Sequence, residues 1–439
     1  MQYRRLYITV IFSLLLAASL PLGAQDGTYN GYTPYSVYGI GDIATDGTAA
    51  TRSMGGIGVA MRDRRIMNIM NPAAVTARDS LSFMADFGMS GTNSVFTQGD
   101  LTSGHNTFNI NNFALSFPIY KSSAMMVGIK PMSNMGYDFS SLENNPMVIA
   151  HSGDISYKHK GVGGTYQVFA DAGVTLWNAL SLGVEGTYYF GAIDKATQVD
   201  FNNTAYRSIS SGYKMNITGA TLGFGAQWDI RIKGNNRLTL GASYQLESKM
   251  KGNVDDYTIA SISSLVDTLS FNSFKLGDKY SPTIPARLRV GLSFTRGDRW
   301  MAEIDYTRSD WTTCGFDDTP GLGIKGANAF AAAVSQEISA GFQFTPNRYD
   351  TRYYLRRCTY RGGAYYKKSH FQLNGNDIDA FGLTFGVTLP VWRYYNGVTF
   401  GVDLGQKGSV ANNGTRERYA TFNVSFNLHD LWFIKYRYE

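Results

Sequence analysis

The chain has 439 residues, of which 48 are glycine and 61 are aromatic (6 Trp, 29 Tyr and 26 Phe), whereas only 17% are charged. This balance excludes an intrinsically disordered chain, and it disfavours a helical enzyme because glycine weakens helices while Tyr and Phe favour strands. The mean hydropathy of −0.19 excludes a membrane protein of many helices but leaves a transmembrane β-barrel open, since only alternate barrel residues face lipid.

The N-terminus has the pattern of a secretory signal peptide. Arg4 and Arg5 precede an apolar stretch, residues 6–16, that is short for the roughly 20 residues of a membrane span. Ala24 is the small residue that a signal peptidase requires, so residues 1–24 are predicted to be removed after export. Loss of two arginines leaves 38 basic against 34 acidic residues, a net charge of +4 that is too weak to indicate nucleic-acid binding.

The rest of the chain divides into two parts. Residues 25–80 are glycine-rich and irregular, and they precede the first regular strand pattern. Residues 81–439 contain about fourteen segments of some 9–13 residues in which apolar and small or polar residues alternate, as in membrane barrels. In the clearest segment, Leu288, Val290 and Leu292 lie on one face, while Arg287 and Arg289 lie on the other. The pattern predicts an all-β fold, a transmembrane antiparallel β-barrel of about 14 strands.

The links between these segments separate a membrane barrel from a soluble β-sandwich. Long links at 132–163, 192–212, 248–285 and 308–337 alternate with turns of three or four residues, as external loops alternate with periplasmic turns in outer-membrane barrels. A sandwich has no reason for such alternation. The sequence therefore predicts a protein of the bacterial outer membrane, in contact with lipid and lipopolysaccharide.

The C-terminus ends in an aromatic alternation. Trp432, Ile434, Tyr436 and Tyr438 resemble the terminal signal by which outer-membrane barrels are recognised for insertion, although Glu439 follows the last aromatic residue. Residues 428–430 have the composition of a turn after the fourteenth strand. The final residues are then either a periplasmic tail or a fifteenth strand.

The N-terminal part carries a family resemblance. Residues 52–60, Arg-Ser-Met-Gly-Gly-Ile-Gly-Val-Ala, followed by Asn71-Pro72-Ala73, resemble the hatch of FadL-type outer-membrane transporters of hydrophobic compounds, here in a Bacteroidota-like member. The resemblance implies that residues 25–80 form a hatch inside a fourteen-stranded barrel, residues 81–439. Small residues allow close approach inside a barrel, and Asn-Pro fixes a turn.

Two groups of hatch residues are candidate ligand contacts. Arg62, Arg64 and Arg65 either bind the carboxylate headgroup of a ligand or pair with lumen carboxylates such as Asp86, Asp171 or Glu185. The methionines either line an adaptable apolar pocket or pack against the barrel wall. With the turn residues, the candidate site comprises Arg62, Arg64, Arg65, Met54, Met67, Met70, Asn71, Pro72 and Ala73.

No catalytic or metal-binding motif is present in the sequence, so we expect neither an enzyme nor a cofactor or metal. The resemblance places first a channel that binds and passes small hydrophobic compounds. The alternative is a non-transporting accessory subunit of an outer-membrane protein assembly or secretion machine, with protein partners in that complex. Such a partner role would use the long loops, including 248–285, although this loop is otherwise simply a capping hairpin.

The two cysteines are predicted to remain unpaired. Counting strands from a periplasmic N-terminus places Cys314 in the external loop after the ninth strand and Cys358 near the periplasmic end of the eleventh. A barrel wall about 25 Å tall separates these levels, whereas a disulfide requires Cα atoms within about 7 Å.

Overall fold

The computed structural model describes residues 29–79, 82–120, 122–203, 205–262, 265–324, 330–392 and 396–431. The predicted signal peptide and the aromatic alternation after position 431 lie outside the described residues, so both stay predictions. No helix in the described part of the chain is long and apolar enough to cross a membrane.

Twenty strands account for most of the described chain. They are β1 (Asp42–Ile43), β2 (Ser82–Gln98), β3 (Leu101–Tyr120), β4 (Ser123–Leu142), β5 (Ile155–Leu176), β6 (Leu180–Phe201), β7 (Ser208–Arg231), β8 (Asn236–Gln245), β9 (Ser248–Lys249), β10 (Lys251–Ile262), β11 (Leu265–Leu276), β12 (Thr283–Ile284), β13 (Arg287–Arg296), β14 (Trp300–Asp310), β15 (Phe330–Ala332), β16 (Val334–Phe344), β17 (Thr359–Leu373), β18 (Asn376–Trp392), β19 (Asn396–Lys407) and β20 (Arg416–Leu431).

Fourteen of these described strands close into an antiparallel barrel, as predicted. Strands β2 to β8 pair in chain order, β8 pairs with β13, and the wall continues through β14 and β16 to β20. Pairing of β20 with β2 closes the cylinder. Strands β10 and β11 form a hairpin that extends the upper part of β7, outside the wall itself.

The alternation of side chains gives the wall its two faces. Leu292 points outward and is 45% exposed to the surroundings, whereas the next residue, Ser293, points into the lumen and is 1% exposed. Outward-facing Leu, Val and Phe side chains recur around the barrel, the pattern of the lipid-facing surface of membrane barrels. The predicted inside and outside register is therefore confirmed for this strand.

The strands are longer and the links less regular than predicted. The wall strands have 10 to 24 residues, and β4, β5, β6 and β7 take up most of the links expected at 132–163 and 192–212. These strands continue as paired hairpins beyond the height needed to cross a bilayer, because their backbone groups remain satisfied in the ladder. The barrel has a long-loop end and a short-turn end, but the link at 345–358 on the short-turn end is long.

The last described strand also differs from expectation. Residues 428–430, predicted as a turn, lie in β20, where their backbones pair with Phe83, Met84 and Ala85 of β2. Because β2 is the neighbour that closes the barrel, it continues the ladder and overrides the local turn composition.

The helices are short and lie outside the wall ladder. The described helices are η1 (Pro34–Val37), α1 (Ala49–Arg52), η2 (Pro72–Thr76), α2 (Pro146–Ser152), α3 (Tyr354–Arg357) and α4 (Val410–Asn413), of which η1 and η2 are 3₁₀ helices. With β1, the first three belong to residues 29–79, which lie inside the barrel and are called the hatch below.

Candidate functional site

The hatch contacts the wall closely because the wall offers glycine where the two meet. A methyl group added at Gly225 would overlap Asn71 and Pro72, and one added at Gly183 would overlap Pro72 and Ala73. One added at Gly363 would overlap Met54. Glycine at these positions lets the hatch backbone approach the strands directly. The same holds elsewhere around the lumen, at Gly241, Gly291, Gly341, Gly386 and Gly401.

Two buried carboxylates of β14 hold the glycine-rich stretch of the hatch. Asp305 Oδ2 accepts hydrogen bonds from the amides of Gly58 (2.7 Å) and Val59 (2.9 Å), and Glu303 Oε1 accepts one from Ala60 N (2.8 Å). These bonds satisfy backbone groups that the hatch cannot pair within itself.

A third attachment centres on Asp46 of the hatch. Its carboxylate contacts Lys130 Nζ (2.9 Å) on β4, Arg287 Nη1 (2.8 Å) on β13, and the guanidinium of Arg289. The Asp46 side chain is only 10% exposed, so the carboxylate that these three cations contact is largely shielded from water. Asp46 thus ties the hatch to two wall strands, β4 and β13, that are not neighbours.

The wall itself is incomplete between β3 and β4. Their backbones pair only from Phe113↔Ile129 down to the short-turn end. Above this point, residues 101–112 pair with β2 and residues 130–142 pair with β5, but not with each other. We call these two facing stretches the seam.

Irregularities in both strands explain where the seam begins. Pro131 has no amide hydrogen, and the register of β4 against β5 shifts just after it. On β3, Asn111 is an extra residue opposite Gly88 and Met89 of β2. Because a bulge increases twist and redirects a strand, two of them at the same height separate the edges of β3 and β4.

The first part of the hatch covers the free edge of β4. Strand β1 pairs with Asn134 and Ser133, and Thr33 N donates to Gly136 O (2.9 Å). On the other side of the seam, the Tyr32 ring stacks on His105 of β3, with centroids 3.6 Å apart. Hatch residues therefore lie in the seam as a local substitute for strand pairing.

A small cavity lies on the lumen side of the seam. Its volume is about 210 Å³, and its lining is rich in charged and amide side chains. The lining includes Arg52, Asp403, Lys407, Glu417, Asn109 and Asn111. Such a surface suits water or a polar group better than a hydrocarbon.

The long-loop end is closed by residues 311–324, which fold inward after β14 and are called the cap below. Trp311 and Phe316 of the cap belong to one apolar cluster with Tyr38 of the hatch. Backbone bonding joins the two as well, since Gly39 N donates to Leu322 O (2.9 Å). The hatch is thus covered from above.

The short-turn end is open and contains the predicted basic residues. A cavity of about 1270 Å³, called the vestibule below, is lined by Arg62, Arg64 and Arg65 of the hatch, among others. Arg65 pairs with Asp63 (3.2 Å) and with Asp298 (3.0 Å) of the β13–β14 turn.

Within the described residues, these arginines do not pair with Asp86, Asp171 or Glu185, the lumen carboxylates given above as alternative partners. Asp86 accepts a hydrogen bond from Asn112, while Asp171 and Glu185 are opposite each other on β5 and β6. These carboxylates belong to the wall, whereas the arginine run lies at the mouth beside the turns. The ligand role of the arginines stays a prediction.

The remaining candidate residues are buried but do not form one pocket. Met54 packs with Ile57, Met61 and Met301, whereas Met67 belongs to a separate cluster with Met126 and others. Asn71 caps η2 by accepting from Ala73 N (3.0 Å), and its Nδ2 donates to Val59 O (2.8 Å). Pro72 opens that 3₁₀ helix, and Met70 is buried beside the hatch backbone.

Asp46, Lys130, Glu303 and Asp305 were not among the residues predicted from the sequence. The sequence feature that could have indicated them is a charged residue at a lumen-facing position of a segment that alternates with apolar residues. Arg287 and Arg289 carry that pattern in β13, but their partner lies some 240 residues earlier. Among the described residues, no group of His, Cys, Asp or Glu side chains could hold a metal ion.

Comparison with known proteins adds a family and a fold. A family model described as BamG matches residues 5–439, and no curated protein matches the chain. The chain resembles the solved structure of the Ralstonia pickettii toluene transporter TbuX, with a TM-score of 0.60 and 14% identity over 87% of this chain and 98% of that one.

Two other solved structures are similar to the same extent. The CymD monoaromatic hydrocarbon channel has a TM-score of 0.57 and 14% identity, over 90% of this chain and 100% of that one. A Pseudomonas aeruginosa FadL homologue has a TM-score of 0.55 and 13% identity, over 88% and 98%. At these identities the likeness shows the shared barrel fold.

Proposed function

Because this chain belongs to the BamG family, we propose that it acts as a non-transporting accessory subunit of a protein assembly or secretion machine in the bacterial outer membrane. The observation that carries this proposal is that the hatch and the cap close the lumen above the vestibule. The hatch is bonded to the wall, the cap covers it, and the cavity at the seam is small and lined by charges. Passage of a hydrocarbon needs a continuous apolar path.

The accessory role, which was the alternative to a channel on the basis of the sequence, is here placed first. The fold supports the FadL-type resemblance, and the neighbours named as channels and transporters support a non-enzymatic role. In an outer membrane the short-turn end faces the periplasm and the long-loop end faces the cell exterior.

A partner surface is available on the exterior hairpin. Within the described residues, the only strand that pairs with β11 is β10, and beyond it only the last residue, Leu276, forms a bridge, to Tyr280. The rest of the other edge of β11 therefore presents backbone donors and acceptors without a strand partner. Leu265, Val266 and Phe271 on this strand are 73%, 67% and 63% exposed. Long apolar edges are normally protected, and they are also the surfaces to which a partner adds a strand.

The test is purification of the tagged full chain from its native membrane, with mass spectrometry of proteins and lipids. We expect a stoichiometric protein partner and no bound hydrophobic compound. Leu265→Lys/Phe271→Lys should reduce recovery of the partner. Leu142→Lys, at an equally exposed position on another exterior hairpin, is the matched control. A solitary barrel that carries a bound hydrophobic compound would contradict the proposal.

The second candidate is passage of a small compound through the seam. The break in the β3–β4 ladder and the names of the three neighbours favour it. The test is uptake of a small compound into liposomes that contain the purified chain. Uptake that requires movement of hatch residues 29–44 away from β4 would support this candidate.

A further inference from the structure

The vestibule at the periplasmic mouth has an excess of positive charge. Six arginines and three aspartates line it, which leaves a net charge of about +3 in one cavity. The arginines are Arg62, Arg64, Arg65, Arg78, Arg231 and Arg237, and the aspartates are Asp63, Asp229 and Asp298. The predicted mature chain as a whole has only +4, so much of its net charge is concentrated here.

The three aspartates are already engaged. Asp63 and Asp298 both pair with Arg65, and Asp229 contacts Arg237 at 3.3 Å. Outside the vestibule lining, Asp79 lies 3.6 Å from Arg64. Carboxylates of the described chain therefore compensate some of the arginines but not all.

Arg62 and Arg78 have only neutral hydrogen-bond partners among the described residues. Arg62 donates to Ser181 Oγ (2.8 Å) and Gln227 Oε1 (3.0 Å). Arg78 donates to Ser116 Oγ (2.6 Å), and its buried Nε has no hydrogen-bond partner in the part of the chain that the structure describes. A partly buried guanidinium with neutral partners is poorly compensated, so a carboxylate or phosphate from outside would stabilise it.

The arginines are spread around the mouth rather than gathered at one point. Arg62 contacts β6 and β7, Arg78 contacts β3, and Arg65 reaches the β13–β14 turn. A single small anion cannot span these elements, and about 1270 Å³ exceeds the usual volume of a small-molecule pocket. An extended chain with several carboxylates can contact arginines on several sides at once.

We propose that the vestibule binds an acidic, extended segment of a protein partner on the periplasmic side. This inference rests on the proposed accessory function and names the chemistry of one partner. Charge complementarity supplies recognition, and arginine suits carboxylates because its fork binds them in a bidentate manner. Headgroups of the inner leaflet lie outside the wall, so a protein segment that enters from the periplasm fits this cavity better than a lipid does.

The test uses the purified full chain in a nonionic detergent and a fluorescent hexaglutamate peptide. Fluorescence anisotropy should show saturable binding that weakens with salt, and a hexalysine peptide should not bind. Arg62→Gln/Arg78→Gln should weaken hexaglutamate binding about tenfold, because two charge-assisted contacts are lost. Its heat-modifiable migration in SDS gels should match that of the wild type, which verifies folding.

The matched control removes the same charge from the other end. Lys158→Gln/Arg207→Gln neutralises two exposed cations that pair with Asp200 and Asp267 on the exterior side. It should leave binding within about twofold of wild type, since surface charges beyond a Debye length are screened. Equal weakening by both double variants would overturn the proposal, because net charge alone would then explain binding.

Competition distinguishes the class of ligand. Inorganic phosphate or phosphatidylglycerol vesicles that displace hexaglutamate as effectively as an unlabelled acidic peptide would overturn the assignment to a protein segment.

Co-purification distinguishes failure of the vestibule site from failure of the accessory function on which it rests. A partner recovered equally with wild type and Arg62→Gln/Arg78→Gln contradicts the vestibule site alone, whereas absence of any partner contradicts the accessory function.

Discussion

Asn109 Nδ2 donates a 3.0 Å hydrogen bond to Asn134 Oδ1 across the seam, where β3 and β4 share no backbone ladder. This contact joins the two free edges through side chains alone. It shows that the edges remain near each other while hatch residues complete the backbone pairing of β4.

The seam should be permanently closable without loss of the accessory function. In a Cys314→Ser/Cys358→Ser background, Asn109→Cys/Asn134→Cys should be joined efficiently by a short bismaleimide, because the two side chains already touch. The linked protein should still recover its partner. Asn109→Cys/Asn236→Cys, which places the second thiol at the short-turn end, should not be linked. Loss of partner recovery on linking would favour a function that requires opening of the seam.

Removal of the central hatch carboxylate should destabilise the protein strongly. Asp46→Asn leaves Lys130, Arg287 and Arg289 without their shared anion, which should cost about 3–5 kcal/mol. Urea unfolding followed by tryptophan fluorescence measures the effect. Asp267→Asn, which breaks an exposed pair with Arg207, should cost no more than about 1 kcal/mol. Similar losses would mean that Asp46 does not hold the hatch.

The glycine contacts predict a specific way to displace the hatch. Gly225→Val would force a side chain into Asn71 and Pro72, so the plug should shift and small solutes should leak into liposomes. Gly186→Val is the matched control on β6, since an added Cβ there meets no atom within 4 Å. Equal leakage from both variants and wild type would mean that the hatch does not occlude the lumen.

A charge placed on the outer face of the barrel tests which side chains face lipid. Leu292→Arg places a guanidinium on the lipid face and should cost roughly 2–4 kcal/mol if it lies near the bilayer midplane. Leu142→Arg, on an exposed exterior hairpin, should be nearly neutral. Refolding into lipid bilayers at a series of urea concentrations compares the two. Equal stability would show that Leu292 does not face lipid.

The two cysteines should be free and unreactive in the folded chain. Both are buried and unpaired, with Cys314 in the cap and Cys358 next to the short-turn end of β17. Burial raises the pKa of the Cys314 thiol to about 11 and also raises the pKa of Cys358, so little thiolate forms at neutral pH. N-ethylmaleimide at pH 7.5 should label them only after boiling, and non-reducing peptide mapping should find no Cys314–Cys358 bridge.

The sequence by itself determined the barrel and its two faces. Period-two alternation, as in Leu288 and Val290 against Arg287 and Arg289, assigns each residue to lipid or lumen from its immediate neighbours alone. The resemblance of residues 52–60 to the hatch of FadL-type transporters implied a segment inside the barrel, and its small residues are consistent with close approach to a wall. These features are local, so no knowledge of distant parts of the chain was needed.

Only the tertiary structure decided which inward groups meet. Asp46 contacts Arg287 some 240 residues away, and the hatch pairs with β4 at the seam. Arg62 and Arg78 line one vestibule, each with only neutral hydrogen-bond partners among the described residues. Strand alternation fixes the side to which a charge points but not its height or its position around the cylinder. Those depend on the register of fourteen strands and on bulges such as the two at the seam, which no local pattern specifies.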